Sequence, residues 1–182
     1  MPVFLRDSRS EDPAFWEAYG EGRAELERVR MRGDAQILLR MLGSLGTYAR
    51  LLQRYAESVE LLQEALTLSQ ELHLPAFEAA NLIRLGTAYQ YAGQDQAAEH
   101  YFQEALKLTE HPEASAYRDF AWQHLGKLLA EQGLFNEARG CFLAALQLRQ
   151  DKGDTDLLAS TQAALTALDA LIAAGRTDLD VF

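Results

Sequence analysis

The apolar residues of this chain recur at helical spacing rather than in the strict alternation of a strand. Three segments carry the clearest stripes; they begin at Leu61, Tyr101 and Cys141, and each starts 40 residues after the last. In the first of them Leu61, Leu62, Ala65 and Leu66 share one helix face, with the opposite face polar. The pattern predicts an all-α protein built from amphipathic helices.

Aligning the chain on itself with a 40-residue offset extends the match beyond these stripes. The shared columns are a Leu-Gly pair at 45–46, 85–86 and 125–126, then a small residue at Ser58, Ala98 and Ala138, an apolar one at Leu62, Phe102 and Phe142, and alanine at Ala65, Ala105 and Ala145. A fixed period between 20 and 50 residues is typical of a solenoid, in which each repeat buries its apolar face against its neighbour. Glycine and alanine stand where two helices must approach closely, with Leu or Phe beside them.

These columns resemble the tetratricopeptide repeat, whose pattern is W-x2-L-G-x2-Y followed by A, F and A. The best matches are Leu82, Leu85, Gly86, Tyr89, Ala98, Phe102 and Ala105 in the second repeat and Trp122, Leu125, Gly126, Ala138, Phe142 and Ala145 in the third. The first repeat departs from the pattern at Ala49, Ser58 and Leu62. The resemblance implies a right-handed superhelical solenoid of antiparallel helix pairs, with three full repeats and capping helices. The period of 40 is similar to that of a long-helix variant of the family.

The ends of the chain predict the domain organisation. Residues 1–33 form an N-terminal arm and a capping helix that starts at Pro13 after the cap residue Asp12. Residues 34–153 hold the three repeats, in which Gly93 and Gly133 are expected to end helices in the left-handed conformation and Gln53 takes that place in the first. Residues 154–182 form a C-terminal helix, the first half of an incomplete fourth repeat, and a tail.

Charge and composition exclude several classes of function. Acidic residues outnumber basic ones 27 to 17, a net charge of -10, which disfavours nucleic acid as a partner. Cys141 is the only cysteine, so no intrachain disulfide can form, and no apolar run is expected to reach the roughly 18 residues that span a bilayer. We therefore expect a cytoplasmic protein that does not bind a membrane.

Catalytic and metal-binding patterns are also missing from the sequence. The four histidines lie on different predicted elements without ligand spacing, and no phosphate-binding loop, H-E-x-x-H pair or C-x-x-C motif is present. We expect no catalytic residue, metal or cofactor, and hence no enzyme.

By resemblance to the family, the first helices of successive repeats line a concave groove that binds a peptide. The residues at the corresponding positions are polar, basic or aromatic: Arg40, Ser44, Thr47, Arg50, Arg84, Thr87, Tyr91, Phe120, Gln123 and Lys127. The cations predict an acidic protein or peptide partner, bound by a non-catalytic interaction module or scaffold. Two alternatives stay open: these residues merely solvate an inner face, or the chain is a ligand- or peptide-sensing regulatory domain acting on a separate effector.

The C-terminal helix is more apolar than the last helix of a solenoid should be. Its apolar residues are Leu157, Leu158, Leu165, Leu168, Leu171 and Ile172, and no following helix covers them. An exposed face of this kind predicts a homodimer through the C-terminal helix. In the competing hypothesis the tail residues Leu179, Val181 and Phe182 fold back over the same face.

Overall fold

The computed structural model describes residues 4–7 and 10–179, with side chains described through residue 174. Within these ranges the chain forms eight α-helices and one 3-10 helix, and no strand. The α-helices are α1 Pro13–Arg32, α2 Ala35–Leu51, α3 Tyr55–Glu71, α4 Pro75–Tyr91, α5 Asp95–Leu108, α6 Arg118–Glu131, α7 Phe135–Lys152 and α8 Thr155–Leu179, and the 3-10 helix is Pro112–Tyr117. The all-α prediction is confirmed. The tail residues Val181 and Phe182, which one hypothesis placed over α8, lie outside the described residues, and the side chain of Leu179 is not described either.

The chain divides into two compact units, Asp7–Tyr117 and Arg118–Phe182 together with Met1–Arg6. We refer to them as the α1–α5 unit and the α6–α8 unit. Each contains pairs of consecutive helices that pack on one another: α2 with α3 and α4 with α5 in the first, α6 with α7 in the second.

The α1–α5 unit begins with the predicted capping helix. The carboxylate of Asp12 accepts a hydrogen bond from the Ala14 N–H, Pro13 is the first helical residue, and Gly33, whose φ is 75°, caps the C-terminal end of α1. The apolar side of α1 covers the first helix pair, where Tyr19 and Leu26 join Leu39 and Leu42 in one buried cluster. The apolar face of α1 therefore covers this part of the core of the first repeat.

The repeated Leu-Gly pair is explained by how closely the two helices of a repeat approach. A Cβ added to Gly46 would lie 2.5 Å from Cγ of Leu62, and one added to Gly86 would lie 2.5 Å from Cε1 of Phe102. The glycines therefore make room for the large apolar side chain that follows 16 residues later. Helix ends follow the sequence as well, since Gly93, Gly133 and Gln53 have φ values of 75°, 80° and 61°.

The α6–α8 unit is organised around a buried ion pair. Asp119 and Arg149 are fully and almost fully buried, with 2.8 Å between Oδ2 and Nε. Arg149 also donates to the Leu157 carbonyl at 3.1 Å and to the Thr161 hydroxyl at 2.6 Å, both on α8. This arginine thus ties α6, α7 and α8 together.

Candidate peptide-binding site

The α2 and α4 helices carry all of the predicted peptide-binding residues of the α1–α5 unit, and two of these already bind the chain's own N-terminal segment. Nη2 of Arg50 lies 2.9 Å from Oδ2 of Asp7, and the Asp7 N–H donates to the hydroxyl of Tyr91 at 2.6 Å. The guanidinium of Arg50 stacks on the Tyr91 ring at 4.5 Å from its centroid. Burial raises the pKa of Tyr91. Asp7 therefore shows the chemistry that this face accepts, a carboxylate.

Arg84 lies on α4 of the same unit, and its environment differs from that of Arg50. Its guanidinium is half-buried and donates from Nη1 to Oδ1 of Asn81 at 3.0 Å. No carboxylate pairs with it among the described residues, and burial lowers its pKa, with the neighbouring Tyr117 acting in the opposite direction. The amide Nδ2 of Asn81, on a side chain that is 1% exposed, has no hydrogen-bond acceptor among the described residues.

Gly43 provides the space in which these two side chains meet. A Cβ at this position would lie 3.0 Å from Nη1 of Arg84 and 3.1 Å from Oδ1 of Asn81. The guanidinium of Arg84 and the amide oxygen that accepts from it thus face α2 at a residue that has no side chain. The combination of a cation and an unused amide N–H is suited to a carboxylate.

The remaining predicted residues of this unit have more ordinary surroundings. Arg40 and Ser44 are exposed and line a cleft with Met41 and Tyr48 between α1 and α2. The hydroxyls of Thr47 and Thr87 donate to the carbonyls four residues earlier in their own helices, at 3.0 and 2.8 Å. These two hydroxyl protons are therefore used within the helices.

In the α6–α8 unit, α6 carries Gln123, Lys127 and Glu131 on one face, four residues apart. Lys127 donates from Nζ to the Leu5 carbonyl at 3.2 Å, and the buried Glu131 accepts from Phe4 and Arg6. Both amide atoms of Gln123, a residue 4% exposed, have no hydrogen-bond partner among the described residues. The face is thus mixed in charge, where the sequence predicted a basic one.

Phe120, one of the predicted peptide-binding residues, lies beside the buried ion pair of this unit. Its ring lies 5.3 Å from the guanidinium carbon of Arg149 and 5.6 Å from Nζ of Lys152. Lys152 also pairs with Asp119. The ring therefore packs against the cations of the buried cluster that holds α7 and α8.

Sequence reasoning did not place Phe4, Asp7 or Asn81 in the site. Asn81 stands three residues before Arg84, a spacing that puts both on one helix face and could have drawn attention to it. Phe4 and Asp7 belong to no repeat and no periodic segment, so no pattern in the sequence pointed to them.

The predicted self-association residues are not equally accessible on α8. Leu168 is fully buried, with Thr161 and Ala164 beside it, in the packing of α8 on the rest of its unit. Leu168 therefore stabilises α8 itself, which corrects its assignment to an exposed face. The others, Leu157, Leu158, Leu165, Leu171 and Ile172, are half-buried.

The length of this apolar helix also corrects an expectation. Thr155–Ala174 is long and apolar enough to cross a bilayer by length and composition, with a mean hydropathy of 1.5, although the sequence suggested that no segment would be. It contains Asp156 and Asp169, and 17% of it is buried within the protein. Asp169 pairs with Arg139 of α7.

Family models place this architecture in a known class. The tetratricopeptide repeat model matches residues 37–111, and a second tetratricopeptide repeat model matches residues 121–152. Together they cover more than half of the chain, and the chain belongs to the tetratricopeptide repeat family. Repeats of this family generally mediate protein–protein interaction, and the fold is typically a non-catalytic scaffold.

Solved structures with the same fold include BtubC (BKLC) from P. vanneervenii, which has 23% sequence identity to this chain and a TM-score of 0.71. The match covers 86% of this chain, and the chain spans 65% of the length of BtubC. The nearly identical TPR-like repeats of a candidate kinesin light chain from Podosopora anserina match at 15% identity, with a TM-score of 0.67, over 91% of this chain and 82% of theirs. At these identities the likeness concerns the fold alone. No curated protein matches the chain in sequence at a significant level.

Proposed function

We propose that this protein is a non-catalytic interaction module that binds an acidic segment of a partner protein on the α2–α4 face of the α1–α5 unit. One observation carries the proposal: Arg84 is a half-buried cation that no carboxylate pairs with among the described residues, beside an unused amide N–H of Asn81. A partly buried cation of this kind is costly to desolvate, and a ligand carboxylate offsets that cost. Asp7, bound to Arg50 on the same unit, is a precedent for the ligand chemistry.

The alternative is that Arg84 is an ordinary hydrated arginine on the inner surface and binds no ligand. Its low exposure and its position over Gly43 argue against that reading, because a merely solvating arginine extends its head group into water. The single buried cysteine, Cys141, supports a cytoplasmic location as part of the same proposal.

A labelled short peptide of alternating aspartate and alanine tests the proposal by fluorescence anisotropy. Charged hydrogen bonds contribute on the order of 1.5–3 kcal/mol, so Arg84→Glu is expected to weaken binding by a factor of about ten or more. Arg28→Glu is the matched control, because Arg28 lies on α1 with 65% of its side chain exposed and pairs with Glu25 of the same helix. Equal dissociation constants for the two variants would contradict the proposal.

A second variant separates charge from position. Gly43→Ala keeps every charge but places a methyl group 3.0 Å from Nη1 of Arg84, so the guanidinium must shift. We expect a smaller loss of affinity than for Arg84→Glu, with unchanged helicity by circular dichroism. If instead a small ligand altered the assembly state of the protein, the regulatory alternative would be favoured over a simple scaffold.

A further inference from the structure

The segment Phe4–Arg6 packs on the α6–α8 unit as a short ligand would. It belongs to no helix, and Phe4 is nevertheless 3% exposed. Its ring stacks on that of Phe142, with 6.0 Å between centroids and 26° between planes, and its backbone N–H donates to Oε1 of Glu131 at 2.9 Å. An aromatic side chain is therefore inserted beside the core of a repeat.

Arg6 binds the same carboxylate with two hydrogen bonds. Nε lies 2.7 Å from Oε1 of Glu131 and Nη2 lies 2.5 Å from Oε2. The side chain of Glu131 is 3% exposed, whereas that of Arg6 is 21% exposed. A two-point pairing of this geometry distinguishes arginine from lysine, because only the planar guanidinium matches both carboxylate oxygens.

Leu5, between Phe4 and Arg6, binds this face through its backbone carbonyl. The Leu5 carbonyl accepts from Nζ of Lys127 at 3.2 Å, while Leu5 is 44% exposed. The contacts therefore specify an aromatic residue, a free position and an arginine. They also fix the path of the main chain over α6.

The same face of α6 has hydrogen-bonding groups that Phe4–Arg6 does not bind. Gln123 lies one helical turn before Lys127 on α6, and both of its amide atoms are buried without a hydrogen-bond partner among the described residues. An amide can donate to and accept from an extended main chain at once. A ligand longer than three residues would satisfy it.

From these contacts we propose that the face formed by Gln123, Lys127 and Glu131 of α6 and Phe142 of α7 is a recognition site for a partner segment with the pattern aromatic, any residue, arginine. Phe4–Arg6 is its ligand in cis, and a partner segment of the same pattern replaces it. This site lies in a different unit from Arg84 and takes a ligand residue of opposite charge, so it stands or falls independently of the acidic-segment proposal.

A free peptide must compete with Phe4–Arg6, which belongs to the same chain as the site. Because Phe4–Arg6 and its site belong to the same chain, their binding is intramolecular, with an effective concentration on the order of millimolar, so a free peptide competes poorly. Weakening the cis ligand with Phe4→Ala and Arg6→Ala in the full-length chain should therefore raise the affinity for a free peptide by a factor of about ten or more. The probe is a fluorescein-labelled peptide with the sequence of residues 4–10, FLRDSRS.

The controls use the same assay. On the Phe4→Ala, Arg6→Ala background, adding Glu131→Gln should abolish the gain, and a peptide with lysine in place of its arginine should bind at least several-fold more weakly. Arg28→Glu on this background should leave binding of the peptide FLRDSRS unchanged, because Arg28 lies exposed on α1, outside the site. Equal binding of FLRDSRS to the wild-type and doubly substituted chains, or indifference to Glu131→Gln, would overturn the proposal.

A displacement measurement avoids dependence on variants that fail to fold. Leu5→Cys can carry a dye on the exposed position, because burial raises the pKa of the only other thiol, Cys141, to about 11 and leaves it unreactive near neutral pH. Excess FLRDSRS should lower the anisotropy of the dye as the segment is released. No change, or the same change with a peptide whose phenylalanine is replaced by alanine, would refute exchange at this site.

Discussion

Replacing the glycine of the second repeat, Gly86→Ala, tests whether the repeated Leu-Gly pair is set by packing. The added methyl group would lie 2.5 and 2.6 Å from Cε1 and Cδ1 of Phe102, a fully buried ring on α5. Carbon atoms pack at about 3.5–4.0 Å, so the ring or the helix must move by about 1 Å in a densely packed site. Overpacking of this kind costs about 1–3 kcal/mol, and we expect the upper end because the clash is with a rigid ring.

Helix propensity acts in the opposite direction and defines the control. Alanine in a helix interior is favoured over glycine by about 1 kcal/mol, which leaves a net loss near 2 kcal/mol for Gly86→Ala. Gly140→Ala on α7 meets nothing within 4 Å and should gain up to about 1 kcal/mol. Urea unfolding followed by circular dichroism measures both values. The packing explanation fails if the two variants have the same stability within about 0.5 kcal/mol.

Two further predictions concern the α6–α8 unit. Arg149→Met leaves Lys152 as the cation paired with the carboxylate of Asp119 and removes the hydrogen bonds to Leu157 and Thr161. We expect the free energy of unfolding in urea to fall by about 3–5 kcal/mol. A loss below about 1 kcal/mol would show that the ion pair is dispensable. We also propose that the half-buried Leu158, Leu165 and Ile172, spaced seven residues apart, mediate a homodimer of α8. Light scattering should give the mass of a dimer, which Leu165→Glu halves and the control Gln162→Glu leaves unchanged. A monomer mass for the unsubstituted chain at micromolar concentration would refute this proposal.

The repeat could be predicted from the sequence because the same packing requirement places the same residue types at corresponding positions of all three repeats. Each helix pair needs a small residue opposite a large apolar one, and Gly46, Gly86 and Gly126 face Leu62, Phe102 and Phe142 accordingly. The turn glycines follow from backbone geometry in the same way, since only residues that tolerate positive φ end those helices without strain. Local rules of this kind determine helices and their pairing.

Specific contacts of the candidate site could not be predicted, because they depend on side chains brought together from distant parts of the chain. Arg149 reads in the sequence as one more surface arginine near a helix end, yet it is 2% exposed and paired with Asp119. Phe4 stands outside every periodic segment, and its burial depends on a space beside Phe142 that exists only in the folded protein. Periodicity carries no information about such encounters.

The charge of the ligand illustrates the same limit most directly. Counting cations on the first helices predicted a basic surface and an acidic partner, and on the α1–α5 unit the pairing of Arg50 with Asp7 agrees with that chemistry. On the α6–α8 unit the decisive group is Glu131, a buried carboxylate that selects arginine, while Lys127 bonds to a main-chain carbonyl that any ligand possesses. Specificity thus depends on which charges are buried and paired rather than on their number.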